Sequence, residues 1–412
     1  LWENEKKENR MSGWKKSVAL FLCLALLGGC APSDGARSDA GEAGADAGSG
    51  VEKVPDDYEV KYIDLKQEEK EEIRQQVSSV MDECADIYAA AAGGNNRDAV
   101  LEEEIVHHMA ETAAAEGIAV TCGNYDYNML NYEETDRALR EAAAGKEAET
   151  CFFVITSEGY FRYFYLQFAD EKLTVSYASA VFDEDGGSRI REMEKFSVYD
   201  WKYTEKGWLI WEKALSRNQE MDMHTFVRIL PLDEKCRELG NTYILPVSYF
   251  CNNLFLTDWD ENNMENIEFN DLFDFLYEMK YGIKMDEEKY RNGIPKAEFE
   301  DVVRTYFDVS VEKLEIYARY DPENRVYPWE AIGPWNRVQQ FQPFPEVVKC
   351  TENGDGTRTL YVEAVFVEGG TDCSFRHEVT MKEADGRWIY LGNKIDRDGS
   401  YSIPGYKARR EF

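Results

Sequence analysis

The 412-residue sequence is poor in histidine and in the short motifs that mark common active sites. It has only four histidines, and H-E-x-x-H, G-x-S-x-G, G-x-G-x-x-G, Walker A and C-x-x-C are all absent. These motifs place metal ligands, a nucleophile or a phosphate-binding turn at a fixed spacing. Their absence leaves no residue that the sequence nominates as catalytic, metal-binding or cofactor-binding.

The sequence also lacks an apolar run long enough to span a membrane. The most apolar stretch is residues 17–29, whereas a spanning helix needs roughly 20 residues. Lys15 and Lys16 precede this stretch, an arrangement typical of a secretory signal peptide. We therefore interpret residues 1–29 as a signal peptide. We expect translation to begin at Met11, because that start places both lysines in a short n-region.

The end of the apolar stretch, Leu27-Gly28-Gly29-Cys30, resembles the lipobox of bacterial lipoproteins. The resemblance implies that signal peptidase recognises Leu27, Gly28 and Gly29, and that Cys30 carries a diacylglyceryl lipid. Two acyl chains hold a protein firmly on a membrane, whereas one chain is marginal. The expected location is the outer face of the cytoplasmic membrane, facing the cell exterior. The alternative is an ordinary secreted protein cleaved nearby.

Basic residues are scarce relative to acidic ones, with 47 Lys and Arg against 80 Asp and Glu, a net charge of −33. A negative field of this size repels nucleic-acid phosphates and anionic lipid headgroups. We therefore expect no nucleic-acid partner. The charge favours solubility, cationic partners or loosely held divalent cations.

Residues 30–57 contain few side chains that could be buried, since their first part consists largely of Gly, Ala, Ser and Asp. Such a segment cannot offset its own ordering entropy. We predict a lipidated, disordered tether that holds a folded body away from the membrane.

The cysteines do not indicate a disulfide framework. Cys23 lies in the predicted signal peptide and Cys30 is the predicted lipid acceptor, which leaves seven of nine. An odd number argues against complete pairing. Cys350 and Cys373 are expected at opposite ends of an intervening strand, too far apart for a disulfide. We predict mostly free, buried thiols.

A first α+β domain is predicted over residues 58–215. Apolar residues recur at helical spacing between Ile73 and Ala91, and a second helix is predicted over 101–115. The period then changes, and aromatic and β-branched segments predict strands at 151–156, 160–168, 173–182, 189–203 and 208–215. Helices followed by an antiparallel meander are typical of the α+β class.

A second α+β domain is predicted over residues 216–405, followed by a C-terminal tail at 406–412. Its first half, to about Phe307, is expected to be mainly helical, with one apolar stripe that follows Pro295. Strands are predicted at 347–350, 358–367, 373–382 and 388–394.

The two predicted sheets share a short signature. Ala180-Val-Phe182 and Ala364-Val-Phe366 are 184 positions apart, and Trp208 and Trp388 each open a final strand after a glycine turn. This shared order indicates a diverged tandem duplication, with chance similarity as the alternative. Helices packed on such a curved antiparallel sheet resemble the nuclear-transport-factor-2-like (NTF2-like) and cystatin-like superfolds. The whole chain resembles uncharacterised surface lipoproteins of Gram-positive bacteria, a family from which no functional residues can be transferred.

Aromatic residues supply the candidate ligand site. Trp259, Trp329 and Trp335 lie beside Asn, Asp or Pro in predicted loops of the second domain. Aromatic faces next to carboxamides suit sugar or peptide ligands. The alternative is that these side chains fill the core.

Residues 258–269 begin like a calcium-binding loop, with oxygen-bearing side chains at Asp258, Asp260 and Asn262. The pattern then fails twice, because Asn263 replaces the required Gly and Phe269 replaces the bidentate Glu. We expect a solvated acidic loop and no metal site, and the alternative is weak, adventitious calcium binding.

These observations favour an extracytoplasmic binding protein whose ligand is an envelope glycan, a peptide or a protein partner, with a covalent lipid as its only attached group. One alternative is a cell-envelope hydrolase that acts on a glycan with paired carboxylates. Carboxylates are too numerous for the sequence to nominate a pair at the required separation. The other alternative is a structural accessory of a membrane assembly.

Overall fold

The computed structural model describes residues 56–91, 100–123, 127–183, 185–215, 224–337, 341–398 and 402–410. The predicted signal peptide, the lipobox with Cys30 and most of the predicted tether lie outside these residues. Their interpretation stays a prediction.

The described residues form seven α-helices and sixteen strands. The helices are α1 (Gln67–Ala91), α2 (Glu103–Ala115), α3 (Glu133–Ala143), α4 (Glu234–Leu239), α5 (Phe269–Tyr281), α6 (Lys296–Tyr306) and α7 (Val311–Tyr317). The strands of the first half are β1 (Lys61–Tyr62), β2 (Val120–Cys122), β3 (Ala148–Ile155), β4 (Phe161–Ala169), β5 (Lys172–Phe182), β6 (Ser188–Ser197), β7 (Asp200–Tyr203), β8 (Trp208–Glu212) and β9 (His224–Arg228). Those of the second half are β10 (Trp259–Asp260), β11 (Ile294–Pro295), β12 (Val326–Tyr327), β13 (Phe344–Glu352), β14 (Thr357–Val365), β15 (Arg376–Ala384) and β16 (Arg387–Ile395).

The first half is built on a six-stranded sheet in the order β1-β6-β5-β4-β3-β2, antiparallel except for the parallel pair β2–β3. Successive side chains of a strand point to opposite faces. Phe153 accordingly packs in the core with α1 and α2, whereas its neighbour Phe152 packs in a second core with α3 and the small sheet β7-β8-β9. Both faces of this sheet are therefore covered.

The second half is built on a five-stranded antiparallel sheet in the order β10-β16-β15-β14-β13. On β14, Leu360, Val362 and Ala364 are buried in one core with helices α5 and α6, and the side chains between them point the other way. The apolar stripe predicted after Pro295 lies on α6 and is buried in the same core. One face of this sheet is covered by helices, while the other is polar.

The two halves meet through a small apolar cluster that includes Trp208 and Phe226 from the first half and Phe344 and Val365 from the second. Strand β9 pairs with β8, so residues beyond the predicted boundary at 215/216 add a strand to the small sheet of the first half. The division into domains at that residue stays a prediction.

The α+β class is confirmed, with helices packed on antiparallel sheets. The segment predicted as one strand over 189–203 is divided, because β6 ends at Ser197 and β7 pairs with β8 in a separate sheet. Trp208 lies in that separate sheet, whereas Trp388 lies in the main sheet of the second half. The tandem repeat and the NTF2-like or cystatin-like assignment stay predictions.

All seven cysteines within the described residues are free thiols, as predicted. Their burial is less complete than predicted, since Cys84, Cys122 and Cys236 are buried and the other four are half-buried. Cys350 lies opposite Leu360 on β14, whereas Cys373 precedes β15, which explains why these two are not bonded.

Candidate binding face

The polar face of the second sheet carries a straight row of four side chains, one from each of four neighbouring strands. Lys349 on β13 is opposite Tyr361 on β14, Tyr361 is opposite Glu378 on β15, and Glu378 is opposite Lys394 on β16. Neighbouring strands are about 4.8 Å apart, so roughly 14 Å separate the two lysine positions. We call these four residues the cross-sheet row.

Solvent reaches the cross-sheet row. Lys349, Glu378 and Lys394 are exposed and Tyr361 is half-buried. The row lies in a groove of about 530 Å³, which is also lined by Glu363, Arg376, Asp396 and Arg397. A neighbouring cavity of about 350 Å³ shares Lys349 and reaches the end of β13.

The charges of the row are not neutralised within the part of the chain that the structure describes. Lys349 Nζ lies 5.1 Å from the ring centroid of Tyr361, a cation–π contact that leaves its charge in place. Glu378 and Lys394 are opposite each other, yet no ion pair or hydrogen bond joins their side chains to any described residue. By contrast, Arg397 at the rim is paired with Asp258 at 3.0 Å. The row therefore offers two cations and one carboxylate to a ligand.

At the end nearest the first half, the same face becomes a buried charge cluster. Glu346 accepts hydrogen bonds from Arg228 at 2.9 Å and from the Trp208 indole at 3.3 Å. Glu363, opposite Glu346 in the sheet, is paired with Lys206 and with Arg376. Burial raises the pKa of Glu346, while Arg228 and the indole N–H oppose that rise.

Glu346 and Glu363 are carboxylates on neighbouring strands, opposite each other, and a glycan hydrolase uses two carboxylates. They are 6% and 9% exposed, and each is already held by cations. A glycosidase needs its carboxylates on either side of a bound sugar, with room for the scissile bond. Glu346 and Glu363 instead lie where the two halves are packed together.

Behind the row, His377 is enclosed on the core side of β15. Its Nδ1 lies 2.7 Å from Oδ1 of Asn393, and its Nε2 lies 2.9 Å from the hydroxyl of Tyr249. An amide oxygen only accepts, so Nδ1 carries the proton and Nε2 accepts from Tyr249. Burial lowers the pKa of His377 to about 4. The imidazole is therefore neutral near pH 7, with both nitrogens satisfied.

The three candidate tryptophans are placed differently from one another. Trp259 is 3% exposed, packs against Phe307 at 5.7 Å between ring centroids, and donates its indole N–H to the carbonyl of Leu254. Trp329 is 6% exposed and belongs to the same core. Trp335 is 70% exposed and donates to Glu330. Of the predicted aromatic site, only Trp335 presents its ring to solvent.

The acidic segment that begins at Asp258 is part of the folded structure. Trp259 and Asp260 form β10, and Asp258 accepts from the backbone of Ile395 and from Arg397. Its carboxylate is thus committed to the neighbouring strand end. Within the described ranges, no group of three or more His, Cys, Asp or Glu side chains is placed to hold a metal ion.

The cross-sheet row could not be predicted from the sequence, because its members are distant in the chain. A partial signal is present, since residues 359–363 alternate Thr-Leu-Tyr-Val-Glu, which predicts a strand with one polar face. The alternation does not show which residues of other strands lie beside Tyr361. That depends on the register, which the bulges at Val347/Lys349 and Thr380/Met381 shift.

The chain belongs to a family of unknown function, DUF6070, whose match covers residues 70–409. This range includes both sheets, the cross-sheet row and the buried charge cluster. Comparison with curated proteins and with solved structures gave no match. None of the helices that the structure describes has the length and apolar character needed to cross a bilayer.

Proposed function

We propose that this protein is a lipid-anchored, extracytoplasmic binding protein that holds a peptide segment of a partner protein on the cross-sheet row. In this proposal the lipid on Cys30 fixes the chain to the outer face of the cytoplasmic membrane. Residues 31–57 act as the tether, and the two sheets form the folded body.

The observation that carries the binding proposal is the set of unneutralised charges in the row. Exposed charges gain little from isolated ion pairs, but several that act together give specificity and faster association. Lys349 and Lys394 suit two carboxylates roughly 14 Å apart, a span that about four residues of extended peptide cover. Glu378 suits a basic side chain or an N–H group between them.

A peptide fits this face better than the other ligand classes expected from the sequence. Sugar sites rely on aromatic platforms, and the row contributes one aromatic ring, that of Tyr361. The hydrolase alternative gains no support from Glu346 and Glu363, because both carboxylates are enclosed and already paired. A mixed-charge groove open to solvent is suited to a segment that carries both signs of charge.

The anchor is tested separately from the ligand. In a Gram-positive host, we expect the full chain to be recovered in the membrane fraction and the Cys30→Ser variant to be released. Cys23→Ser is the matched control, because it removes a thiol from the same segment without removing the lipid acceptor. Retention of Cys30→Ser at the level of the unaltered chain would contradict the anchor proposal.

The ligand class is tested by thermal denaturation of the full chain in detergent, with short peptides that carry two carboxylates three or four residues apart. We expect these peptides to raise the melting temperature, and uncharged peptides or neutral oligosaccharides to leave it unchanged. Lys394→Glu should abolish the rise. Lys172→Glu, the same charge change on the exposed start of β5, should preserve it. Stabilisation by neutral oligosaccharides alone would overturn the peptide assignment.

A further inference from the structure

Helix α4 is fixed on edge strand β13 at three points. Lys235 Nζ lies 3.1 Å from Oε1 of Glu352. Beyond the end of α4, Gly240 approaches β13 so closely that a Cβ there would be 3.2 Å from Cγ2 of Val347. Between these points, the side chains of Cys236 and Cys350 line the same cavity and interact with each other. The helix and the strand therefore bring two thiols together that are about 110 residues apart in sequence.

Both thiols border the cavity of about 350 Å³ next to the binding face, together with Lys235, Glu352 and Arg358. Cys350 is half-buried, whereas Cys236 is 3% exposed. A small reagent therefore reaches Cys350 more readily than Cys236, which lines the same cavity.

We propose that Cys236 and Cys350 form a thiol–disulfide site that reacts with small-molecule disulfides and, when oxidised, links α4 to β13. The proposal is independent of the ligand assigned to the cross-sheet row. It rests on the contact between the two thiols, on the fixed position of α4 and on the open cavity beside Cys350.

The reaction has two exchange steps. The Cys350 thiol loses its proton, and its thiolate attacks one sulfur of the small disulfide, which releases one thiolate and leaves a mixed disulfide on Cys350. The Cys236 thiol then loses its proton and attacks Sγ of Cys350, and the second small thiolate leaves. Two protein thiols are oxidised to one disulfide, and one small disulfide is reduced to two thiols.

The charges around Cys350 favour this order of attack. Burial raises the pKa of Cys350. The Cys236 thiol, Arg358 and Lys235 oppose this rise, whereas Asp233 adds to it. Burial also raises the pKa of Cys236. The reaction should therefore be faster in mildly alkaline solution than at neutral pH.

The test is to incubate the folded full chain in detergent with oxidised glutathione at mildly alkaline pH and to analyse a proteolytic digest by mass spectrometry. We expect a peptide pair linked through Cys236 and Cys350, lighter than the two separate peptides by about 2 Da and split by a reductant. Cys373→Ser, which removes another half-buried thiol, should give the same link.

The Cys236→Ser variant should stop at glutathione on Cys350, because no second thiol is present to displace it. Glutathione that stays on Cys350 of the unaltered chain would overturn the proposal, and so would two thiols that remain unmodified. If Cys236→Ser does not fold, the digest of the unaltered chain decides the question alone.

Discussion

Arg228 on β9 donates to Glu346 on β13 at 2.9 Å, and both side chains are almost completely buried. The Trp208 indole donates to the same carboxylate, and the Arg228 guanidinium lies 5.4 Å from the Trp208 ring centroid. Three side chains distant in sequence thus place the charge cluster where the two halves meet. The two halves are held together by a specific ion pair as well as by apolar contact.

We expect the Arg228→Met variant to lose about 3–5 kcal/mol of unfolding free energy, because it leaves the Glu346 carboxylate buried without its main cation. Urea denaturation measures this loss. The double variant Arg228→Met with Glu346→Leu should lose less than the sum of the two single variants. Arg291→Met is the control, since Arg291 and Glu288 form an exposed pair worth less than about 1 kcal/mol. A loss of less than about 1 kcal/mol in Arg228→Met would contradict the role assigned to the buried pair.

The stability of the protein should fall with acid in a range set by His377. Its pKa is about 4 in the folded chain and about 6.5 when unfolded, so the unfolded chain binds the proton more readily. The stabilisation is present in full above about pH 6.5 and is lost as the pH falls towards 4, by roughly 3 kcal/mol in all.

Denaturation curves between pH 7 and pH 4 measure this dependence. The carboxylates add an acid dependence of their own, so the comparison is made between variants. His377→Asn should flatten the part of the curve between pH 6.5 and 4, whereas His108→Asn, at a side chain that is 61% exposed, should leave it unchanged. Equal slopes in the His377→Asn and unaltered chains would refute the assignment.

The C-terminal segment should contribute to stability through Arg409. Its guanidinium contacts both carboxylate oxygens of Asp274 and the carbonyls of Cys251 and Asp271, and its side chain is completely buried. Arg409→Ala should cost about 3–5 kcal/mol, because it leaves Asp274 and several carbonyls without their donor. Arg409→Lys keeps the charge but not the two-pronged geometry, and should recover only part. Thermal denaturation with Arg137→Ala as an exposed control measures these differences.

The tryptophans give a direct check on which aromatic residues belong to the core. Trp259→Ala should destabilise the protein by about 3–5 kcal/mol, since it removes a large buried ring and leaves the Leu254 carbonyl without its indole donor. Trp335→Ala should change stability by no more than about 0.5 kcal/mol, because the ring is exposed. Similar losses of stability in the two variants would contradict the assignment of Trp259 to the core.

Periodicity predicted helices α1 and α2, the apolar stripe of α6 and the longer strands, because local alternation of apolar and polar residues determines each of them. It did not place the short strands β1, β2 and β9 to β12. Helix α3 was missed because its buried face consists of Thr135, Ala138, Leu139 and Ala142, which are small or weakly apolar. The break between β6 and β7 was missed because aromatic and β-branched residues continue across it. Only the pairing of β7 with β8 shows that a second sheet begins there.

The candidate site could be predicted from the sequence less completely than the fold. Trp259 is flanked by Asp258 and Asp260, which favours a loop, yet its ring is buried and its indole is satisfied by a carbonyl. The cross-sheet row depends on the register of four strands, and a shift of one residue would turn every member to the other face. The register depends on how the strands pair in the folded protein, and the spacing of residues along one strand does not determine it.

The most direct test of the binding proposal is lysine footprinting, which does not require the partner to be known. An amine-reactive label is applied to the purified chain and to the chain in the membranes of the cells that produce it. We predict that Lys349 and Lys394 are labelled in the purified chain and protected in the membranes, while Lys172 is labelled equally in both. Equal labelling of all three lysines in both samples would contradict it.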